Sequence, residues 1–172
     1  MKNLVVLVGM MGVGKSSTGL VLSKVLKYKF IDVDKEIEKQ QNKSISAIFN
    51  EFGESYFRNL EKEFIKTVAN SKNTVLSLGG GAFENIETQN LLKKNGVVIY
   101  LKATPLTIFK RIRSEIGRPL LNKDFSVDTI NFIMKKRIKN YEKAHFIIDT
   151  NNKTRKEVVR KILGVIKWLK LI

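Results

Sequence analysis

The sequence predicts an α/β fold in which a parallel β-sheet is covered by helices on both faces. Short apolar runs rich in β-branched residues alternate along the chain with amphipathic segments whose apolar residues have helical spacing. A glycine-rich segment, residues 9–17, directly follows the first apolar run. Strands that alternate with helices are typical of βαβ units, which bury a parallel sheet on both sides.

The individual elements follow from local patterns. Five segments are predicted strands: residues 4–8, 30–33, 75–78, 97–101 and 146–148. Amphipathic spacing predicts helices over 16–26 and 53–69. Thr104 is a predicted N-cap with Pro105 at the first helical position, and the capping-box pattern from Thr154 to Glu157 is expected to open the last helix. Without repeats, linkers or low-complexity tracts, residues 1–172 are expected to form one domain.

The C-terminal segment "VVRKILGVIKWLKLI" is basic and amphipathic, which permits two interpretations. One is a helix on a membrane surface. The other, which we favour, is a helix that covers the sheet, with Trp168 at the edge of the core. A covering helix is required because the preceding predicted strand would otherwise leave one face of the sheet exposed.

Composition limits the classes of protein. The chain has no cysteine, no apolar stretch of transmembrane length and too short an initial apolar run for a signal peptide, so we expect a cytosolic protein. Its 32 Lys and Arg residues against 16 Asp and Glu give a formal charge of +16, but the basic residues are scattered. This favours a basic surface that gathers anionic substrates over a nucleic-acid or membrane partner.

The first strand is followed by a phosphate-binding pattern. Gly9, Gly14, Lys15 and Ser16 match G-x-x-x-x-G-K-[ST] without a mismatch. In such a P-loop, backbone N–H groups surround the phosphates, the lysine reaches the β- and γ-phosphates and the hydroxyl binds Mg²⁺. A strand before the loop and a helix after it provide the required context, so we expect a nucleotide-binding site.

Acidic residues end the second predicted strand. Strand alternation places Asp32 and Asp34 of "FIDVD" on the same side, at the sheet edge where α/β proteins bind ligands. One carboxylate could hold the metal's water shell and the other could orient an attacking hydroxyl. The alternative is an ordinary turn that ends the strand.

Two further segments suggest anion and ligand contacts. Arg58 has Glu54 four residues before it and Glu61 three residues after it. This spacing gives either an exposed ion-pair ladder or an arginine held so that its fork faces a substrate anion. Three consecutive glycines, residues 79–81, end the third strand and suggest backbone close to a ligand.

Together these motifs resemble those of shikimate kinases. "GMMGVGKSS", "FIDVD", "FRNLE", "LSLGGGA" and "RPLL" occur in the order and spacing of that family, over nearly the entire chain. The resemblance implies ATP-dependent phosphorylation of the 3-hydroxyl of shikimate, a step of chorismate and aromatic amino-acid biosynthesis. It also implies a nucleoside monophosphate kinase fold with a five-stranded parallel sheet, a substrate-binding region near 33–61 and a mobile lid near 113–125.

The resemblance also implies roles for individual residues. Catalysis is expected from Lys15, Asp34 and Arg118. The residues expected to bind ATP are Gly12, Val13, Gly14, Lys15, Ser16, Ser17, Arg111, Arg118 and Lys153. The residues expected to bind shikimate are Asp34, Phe49, Phe57, Arg58, Gly80, Gly81 and Arg137. Mg²⁺ is expected at Ser16 and, through water, at Asp32, and the protein is expected to be monomeric.

Some positions depart from the family pattern, and other functions stay open. Val33 replaces a small hydroxyl residue, and Arg155 stands where some members have proline against the adenine. The nearest alternative is another small-molecule kinase of this fold, such as a gluconate or nucleoside monophosphate kinase. A GTP-driven switch is less consistent with the sequence, because "NKTR" lacks the aspartate of the guanine motif N-K-x-D.

Overall fold

A computed structural model describes residues 3–114 and 126–169. The five strands are β1 (Leu4–Val8), β2 (Lys29–Asp32), β3 (Thr74–Ser77), β4 (Val97–Lys102) and β5 (Phe146–Asp149). The helices of the described ranges are α1 (Lys15–Leu26), α2 (Val33–Gln41), α3 (Ile45–Val68), α4 (Ile86–Asn95), α5 (Pro105–Ser114), α6 (Val127–Tyr141) and α7 (Arg155–Trp168). A short 3₁₀ turn, Ala82–Glu84, precedes α4.

The strands form one parallel sheet in the order β2-β3-β1-β4-β5. Every residue of β1 and β3 is buried, as expected for the centre of a sheet with helices on both faces. The predicted α/β fold with a five-stranded parallel sheet is confirmed. Because all five strands run in the same direction, the segments that follow them lie along a single edge of the sheet.

The strand order divides this edge into two halves on either side of β1. The P-loop follows β1. The neighbouring strand β3 leads into residues 79–81, the glycine segment, and β2 is the next strand outward. On the other side, β4 and β5 lead into the segments around Thr104 and Asn151. Ligands of open α/β sheets bind at this kind of switch point, where the strand order reverses.

Local capping explains several helix boundaries. Thr104 Oγ1 accepts a hydrogen bond from Thr107 N at 3.2 Å, immediately before Pro105 begins α5. Thr154 and Glu157 form the predicted reciprocal capping box at the start of α7. The predicted helix over 53–69 corresponds to the second part of α3, which starts after a kink at Gly53, where φ is 82°, and ends at Val68. The first part of α3, which begins at Ile45, was not predicted.

The C-terminal helix covers the sheet. Val158, Val159, Ile162 and Ile166 of α7 are buried in the core, which agrees with the covering-helix interpretation. The expectation that Trp168 lies at the edge of the core is wrong, because this residue is 75% exposed. Its ring makes an edge contact with Phe146. Among the described helices, none has the length and apolar character needed to cross a membrane.

Candidate functional site

The P-loop connects β1 to α1 and packs against α5. Gly12 and Gly14 have φ values of 72° and 97°, a region that L side chains rarely adopt, so glycine is required for this path of the loop. At Gly12 a Cβ atom would also lie 2.4 Å from Cγ1 of Ile112. Ser16, in the first turn of α1, is exposed. The loop therefore presents backbone and a hydroxyl group at the start of a helix, as a phosphate site requires.

Lys15 lies within the P-loop. Its Nζ atom donates hydrogen bonds to the carbonyl oxygens of Gly9 and Met10 at 2.8 and 2.9 Å. Burial lowers the pKa of Lys15 to about 8, and the negative charges of Asp34 and Asp32 act against this effect. Both aspartates therefore favour the charged form of the Lys15 ammonium group.

Asp32 and Asp34 reach the site in a different way from the sequence prediction. The expectation that both belong to a strand end is wrong, because β2 stops at Asp32 and Asp34 lies in the first turn of α2. Asp32 is the N-cap of α2, and its Oδ1 accepts a hydrogen bond from Lys35 N at 3.4 Å. The capping aspartate starts the helix, so Asp34 is oriented by helix geometry rather than by strand alternation.

Asp34 and Glu61 converge on Gly79. A Cβ atom at Gly79 would lie 2.5 Å from Asp34 Oδ1 and 2.4 Å from Glu61 Oε1. Both oxygens are buried and have no hydrogen-bond partner in the described parts of the chain. Burial raises the pKa of Glu61 to about 7, and it also raises the pKa of Asp34, against the effect of Lys15. The close approach of two carboxylates explains why the glycine segment begins with a glycine.

Arg58 is held by two carboxylates on its own helix. Its Nε and NH2 atoms donate to Glu54 Oε1 at 3.2 and 3.0 Å, and its NH1 atom donates to Glu61 Oε2 at 2.8 Å. The interpretation of these residues as an exposed ion-pair ladder holds only for the contact with Glu54, because the Glu61 side chain is 2% exposed. The guanidinium also lies against Gly81, where a Cβ atom would be 2.5 Å from NH2. Arg58 is therefore fixed beside the glycine segment.

Arg137 reaches the same segment from α6. Its Nε forms an ion pair with Glu84 Oε1 at 2.7 Å, and its NH1 would lie 3.3 Å from a Cβ atom at Gly80. Tyr141, one turn further along α6, donates a hydrogen bond from its hydroxyl to the Gly80 carbonyl. The structure thus brings together around residues 80–81 the two arginines, Arg58 and Arg137, that the family resemblance assigns to the substrate carboxylate.

A cavity of about 300 Å³ opens between these two arginines. Its lining includes Glu54, Arg58, Glu61, Gly81, Glu84 and Arg137. The rings of Phe49 and Phe57 contact each other at a tilt of 43° with centroids 4.9 Å apart, and the Arg58 guanidinium lies 5.2 Å from the centroid of the Phe57 ring. Phe57 itself is buried, so the partly exposed Phe49 presents more of the apolar surface at this side of the cleft.

A second cavity, of about 630 Å³, lies at the β4 and β5 end of the same sheet edge. Arg111 and Lys153 both line it. Arg111 donates to the P-loop at Val13 O (3.1 Å) and to Thr150 O (2.6 Å), which joins the P-loop to the segment after β5. Lys153 Nζ donates to Asn151 O at 3.3 Å. The predicted adenine-side residues therefore share one cavity next to the P-loop. Arg118 and the rest of residues 115–125 lie outside the described residues.

Oxygen groups near the P-loop suit a hard cation. Asp32 Oδ2 is buried and has no hydrogen-bond partner in the described ranges. Ser16, the residue directly after Lys15, is exposed and offers a hydroxyl group. Mg²⁺ prefers oxygen ligands and keeps several waters, so one hydroxyl and one carboxylate acting through water fit it. Across residues 3–114 and 126–169, no cluster of three or more acidic or histidine side chains offers an all-protein metal cage.

Three features of this site were missed or only partly seen in the sequence. Helical spacing indicates that Glu61 is a neighbour of Arg58, but not that it is a buried carboxylate facing Asp34. Glu84 and Tyr141 were not singled out, although Tyr141 follows Arg137 by four residues and so shares its helix face. Their contacts with the glycine segment join distant parts of the chain, and local patterns do not reveal such contacts.

Comparison with known proteins gives consistent matches. The family model described as shikimate kinase matches residues 11–167. A curated shikimate kinase of Thermodesulfovibrio yellowstonii is 44% identical over 163 residues, which cover 95% of this chain and 94% of the relative. The structure of a shikimate kinase from Acinetobacter baumannii in complex with shikimate has a TM-score of 0.90 at 33% identity and covers 99% of this chain and 96% of its own.

A solved gluconokinase from Sinorhizobium meliloti is similar in fold alone. Its TM-score is 0.61 at 14% identity, with 98% of this chain and 93% of the gluconokinase covered.

Proposed function

The chain belongs to the shikimate kinase family, and we propose on that basis how its own residues carry out the reaction. The activity is the transfer of the γ-phosphate of ATP to the 3-hydroxyl of shikimate, which yields shikimate 3-phosphate and ADP for chorismate and aromatic amino-acid biosynthesis. The observation that carries the residue assignments is the convergence of Asp34, Arg58 and Arg137 on the glycine segment beside the P-loop.

Arg58 and Arg137 bind the carboxylate of shikimate. Both guanidinium groups lie against residues 80–81 and line one cavity, and a planar guanidinium fork suits a carboxylate better than lysine does. Gly80 and Gly81 contribute backbone contacts, while Phe49 and Phe57 provide apolar surface for the ring. The substrate is thereby oriented with its ring hydroxyls toward Asp34.

Asp34 positions the attacking hydroxyl and accepts its proton. Its Oδ1 is buried and without a hydrogen-bond partner in the described part of the chain, so it is available to a substrate hydroxyl. Because phosphoryl transfer depends mainly on positioning and charge neutralisation, this one contact has a large effect on turnover. Exclusion of water from the site would keep the phosphoryl group from being lost to hydrolysis.

The P-loop and the β4–β5 cavity bind ATP. Gly12, Val13, Gly14, Ser16 and Ser17 supply backbone and hydroxyl groups for the phosphates. Lys15 exchanges its bonds to Gly9 O and Met10 O for oxygens of the β- and γ-phosphates. Arg111 and Lys153 line the cavity that takes the adenosine, and Arg118 is assigned to the phosphates from the family motif.

Ser16 and, through water, Asp32 would hold Mg²⁺. When bound, the ion neutralises charge on the phosphates and orients them for transfer. A cytoplasmic location, where ATP is available, and a monomeric state complete the proposal.

A substrate panel tests the function. ADP release is measured with shikimate, gluconate and nucleoside monophosphates, each with and without Mg²⁺. We expect release with shikimate and Mg²⁺ only, and we expect Lys15→Met to remove it. Preferential turnover of gluconate, or ATP hydrolysis independent of shikimate, would contradict the proposal.

A further inference from the structure

Arg137 is already engaged by a carboxylate of the chain itself. Glu84 ends the 3₁₀ turn that follows the glycine segment, and its Oε1 forms an ion pair with Arg137 Nε at 2.7 Å. The Arg137 side chain is 17% exposed and the Glu84 side chain is 40% exposed. Both residues line the 300 Å³ cavity that contains Arg58. A carboxylate of the protein therefore sits at the group that we assign to the carboxylate of the substrate.

Glu84 differs from Glu61 in how easily it can leave its arginine. Glu61 is 2% exposed, so breaking its bond to Arg58 would leave a buried charge without a partner. Glu84 is on the rim, where water can solvate its carboxylate once the bond to Arg137 is broken. Of these two carboxylates, Glu84 is the one that an incoming anion can replace at low cost.

The orientation of Arg137 does not depend on Glu84 alone. Arg137 NH1 and the Tyr141 hydroxyl lie 3.3 and 3.9 Å from the position of a Cβ atom at Gly80, and the hydroxyl donates a hydrogen bond to the Gly80 carbonyl. This second set of contacts keeps the guanidinium beside the glycine segment when Glu84 moves away. Loss of Glu84 should therefore leave Arg137 in position, with its Nε–H free to donate.

We propose that Glu84 competes with the carboxylate of shikimate for Arg137 and so lowers the affinity of this enzyme for its acceptor, an inference that rests on the function proposed above. A carboxylate that binds the Nε side of the guanidinium fork must displace Glu84. A carboxylate that binds the opposite side still feels the repulsion of Glu84 across the same guanidinium. In both geometries, removing the charge of Glu84 should raise the affinity of the enzyme for shikimate.

The test is Glu84→Gln, which keeps the size of the side chain and removes its charge. We expect KM for shikimate to fall by about two- to fivefold, the range that a partly exposed ion pair permits, with kcat changed by less than about twofold. Titration calorimetry of shikimate binding should show the same gain. Glu87→Gln is the matched control, because Glu87 lies three residues further on and pairs with Lys62 instead. It should leave KM unchanged.

Shikimate methyl ester separates competition from a general opening of the cavity. The ester lacks the carboxylate charge, so its KM should be the same in wild type and Glu84→Gln. A KM for shikimate that is unchanged or raised in Glu84→Gln, or an equal gain for acid and ester, overturns the inference. The wild-type assay is done first: absence of turnover with shikimate there refutes the proposed function, whereas normal turnover followed by no gain in Glu84→Gln refutes only the role of Glu84.

Discussion

Asp34 and Glu61, which belong to different helices, converge on the position that a Cβ atom would occupy at Gly79. Their free oxygens lie 2.5 and 2.4 Å from the position of a Cβ atom at that residue, so the two oxygens are at most about 5 Å apart. The two carboxylates repel each other at this distance, and the charge of Asp34 adds to the rise in the pKa of Glu61 that burial causes. The absence of a side chain at Gly79 therefore allows the carboxylates of Asp34 and Glu61 to approach each other this closely.

Gly79→Ala should damage activity severely. The new methyl group would push one or both carboxylates out of place, and small displacements of positioning groups cost up to about 100-fold in rate. We expect kcat/KM for shikimate to fall by about 10- to 100-fold in steady-state assays, with a lower Tm. Gly164→Ala is the control. Nothing lies within 4 Å of its Cβ position in α7, so it should raise stability by up to about 1 kcal/mol without changing kcat/KM. Activity of Gly79→Ala within twofold of wild type would contradict this account.

Glu61 should make the stability of the protein depend on pH. Burial raises its pKa from 4.5 to about 7 in the folded state. Between these values the folded protein binds more protons than the unfolded chain, so the free energy of unfolding should fall as pH rises from about 4.5 to 7. The expected decrease is on the order of 1–3 kcal/mol.

Urea unfolding at pH 5 and pH 7.5 measures this decrease, and Glu61→Gln should reduce it. Glu54→Gln is the control, because Glu54 also pairs with Arg58 but is largely exposed. Equal pH dependence in wild type and Glu61→Gln would show that Glu61 is ionised throughout this range.

Arg58→Lys should weaken shikimate binding. Arg58 uses Nε, NH1 and NH2 in its contacts with Glu54 and Glu61, whereas lysine offers a single ammonium that cannot reproduce this geometry. We expect KM for shikimate to rise by about tenfold or more, while KM for ATP changes little. An unchanged KM for shikimate would mean that Arg58 serves only as an ion pair of α3.

Arg118→Ala should lower turnover more than affinity for shikimate. Arg118 lies outside the described residues, and its role is inferred from the family motif "RPLL". An arginine that stabilises the transferring phosphoryl group contributes about 10³–10⁵ in rate. We therefore expect kcat to fall by at least about 100-fold, with a smaller change in KM for shikimate. Near-normal turnover would remove this arginine from the mechanism.

Sequence patterns predicted the strands well because their signals are local. β1 has the predicted bounds, and the other four strands differ from prediction by one residue at one or both ends. The error at β2 has a clear cause: Asp32 caps the next helix, so the strand stops before Asp34. Alternation along a strand cannot show where a capping side chain will end it.

The pairing of charges in the site was less predictable. The contacts of Arg58 with Glu54 and Glu61 lie within one helix and follow from helical spacing. The contact between Tyr141 and Gly80 joins residues 61 positions apart, and burial of Glu61 depends on packing against Gly79. Such features follow from the sheet order and the depth of the cleft, which a local pattern does not contain.

The central position of β1 has a consequence for transferring this specificity to another kinase. Most of the residues that we assign to shikimate lie in one continuous stretch of chain that begins at Asp34 and ends with the glycine segment. This stretch could be transferred to another kinase as one piece. Arg137 is the exception, because α6 follows β4 on the opposite side of the sheet centre. Under the proposed assignment, a chimaera built from this stretch alone would have one arginine for the carboxylate of shikimate instead of two. Helix α6 of this protein would have to be transferred as well.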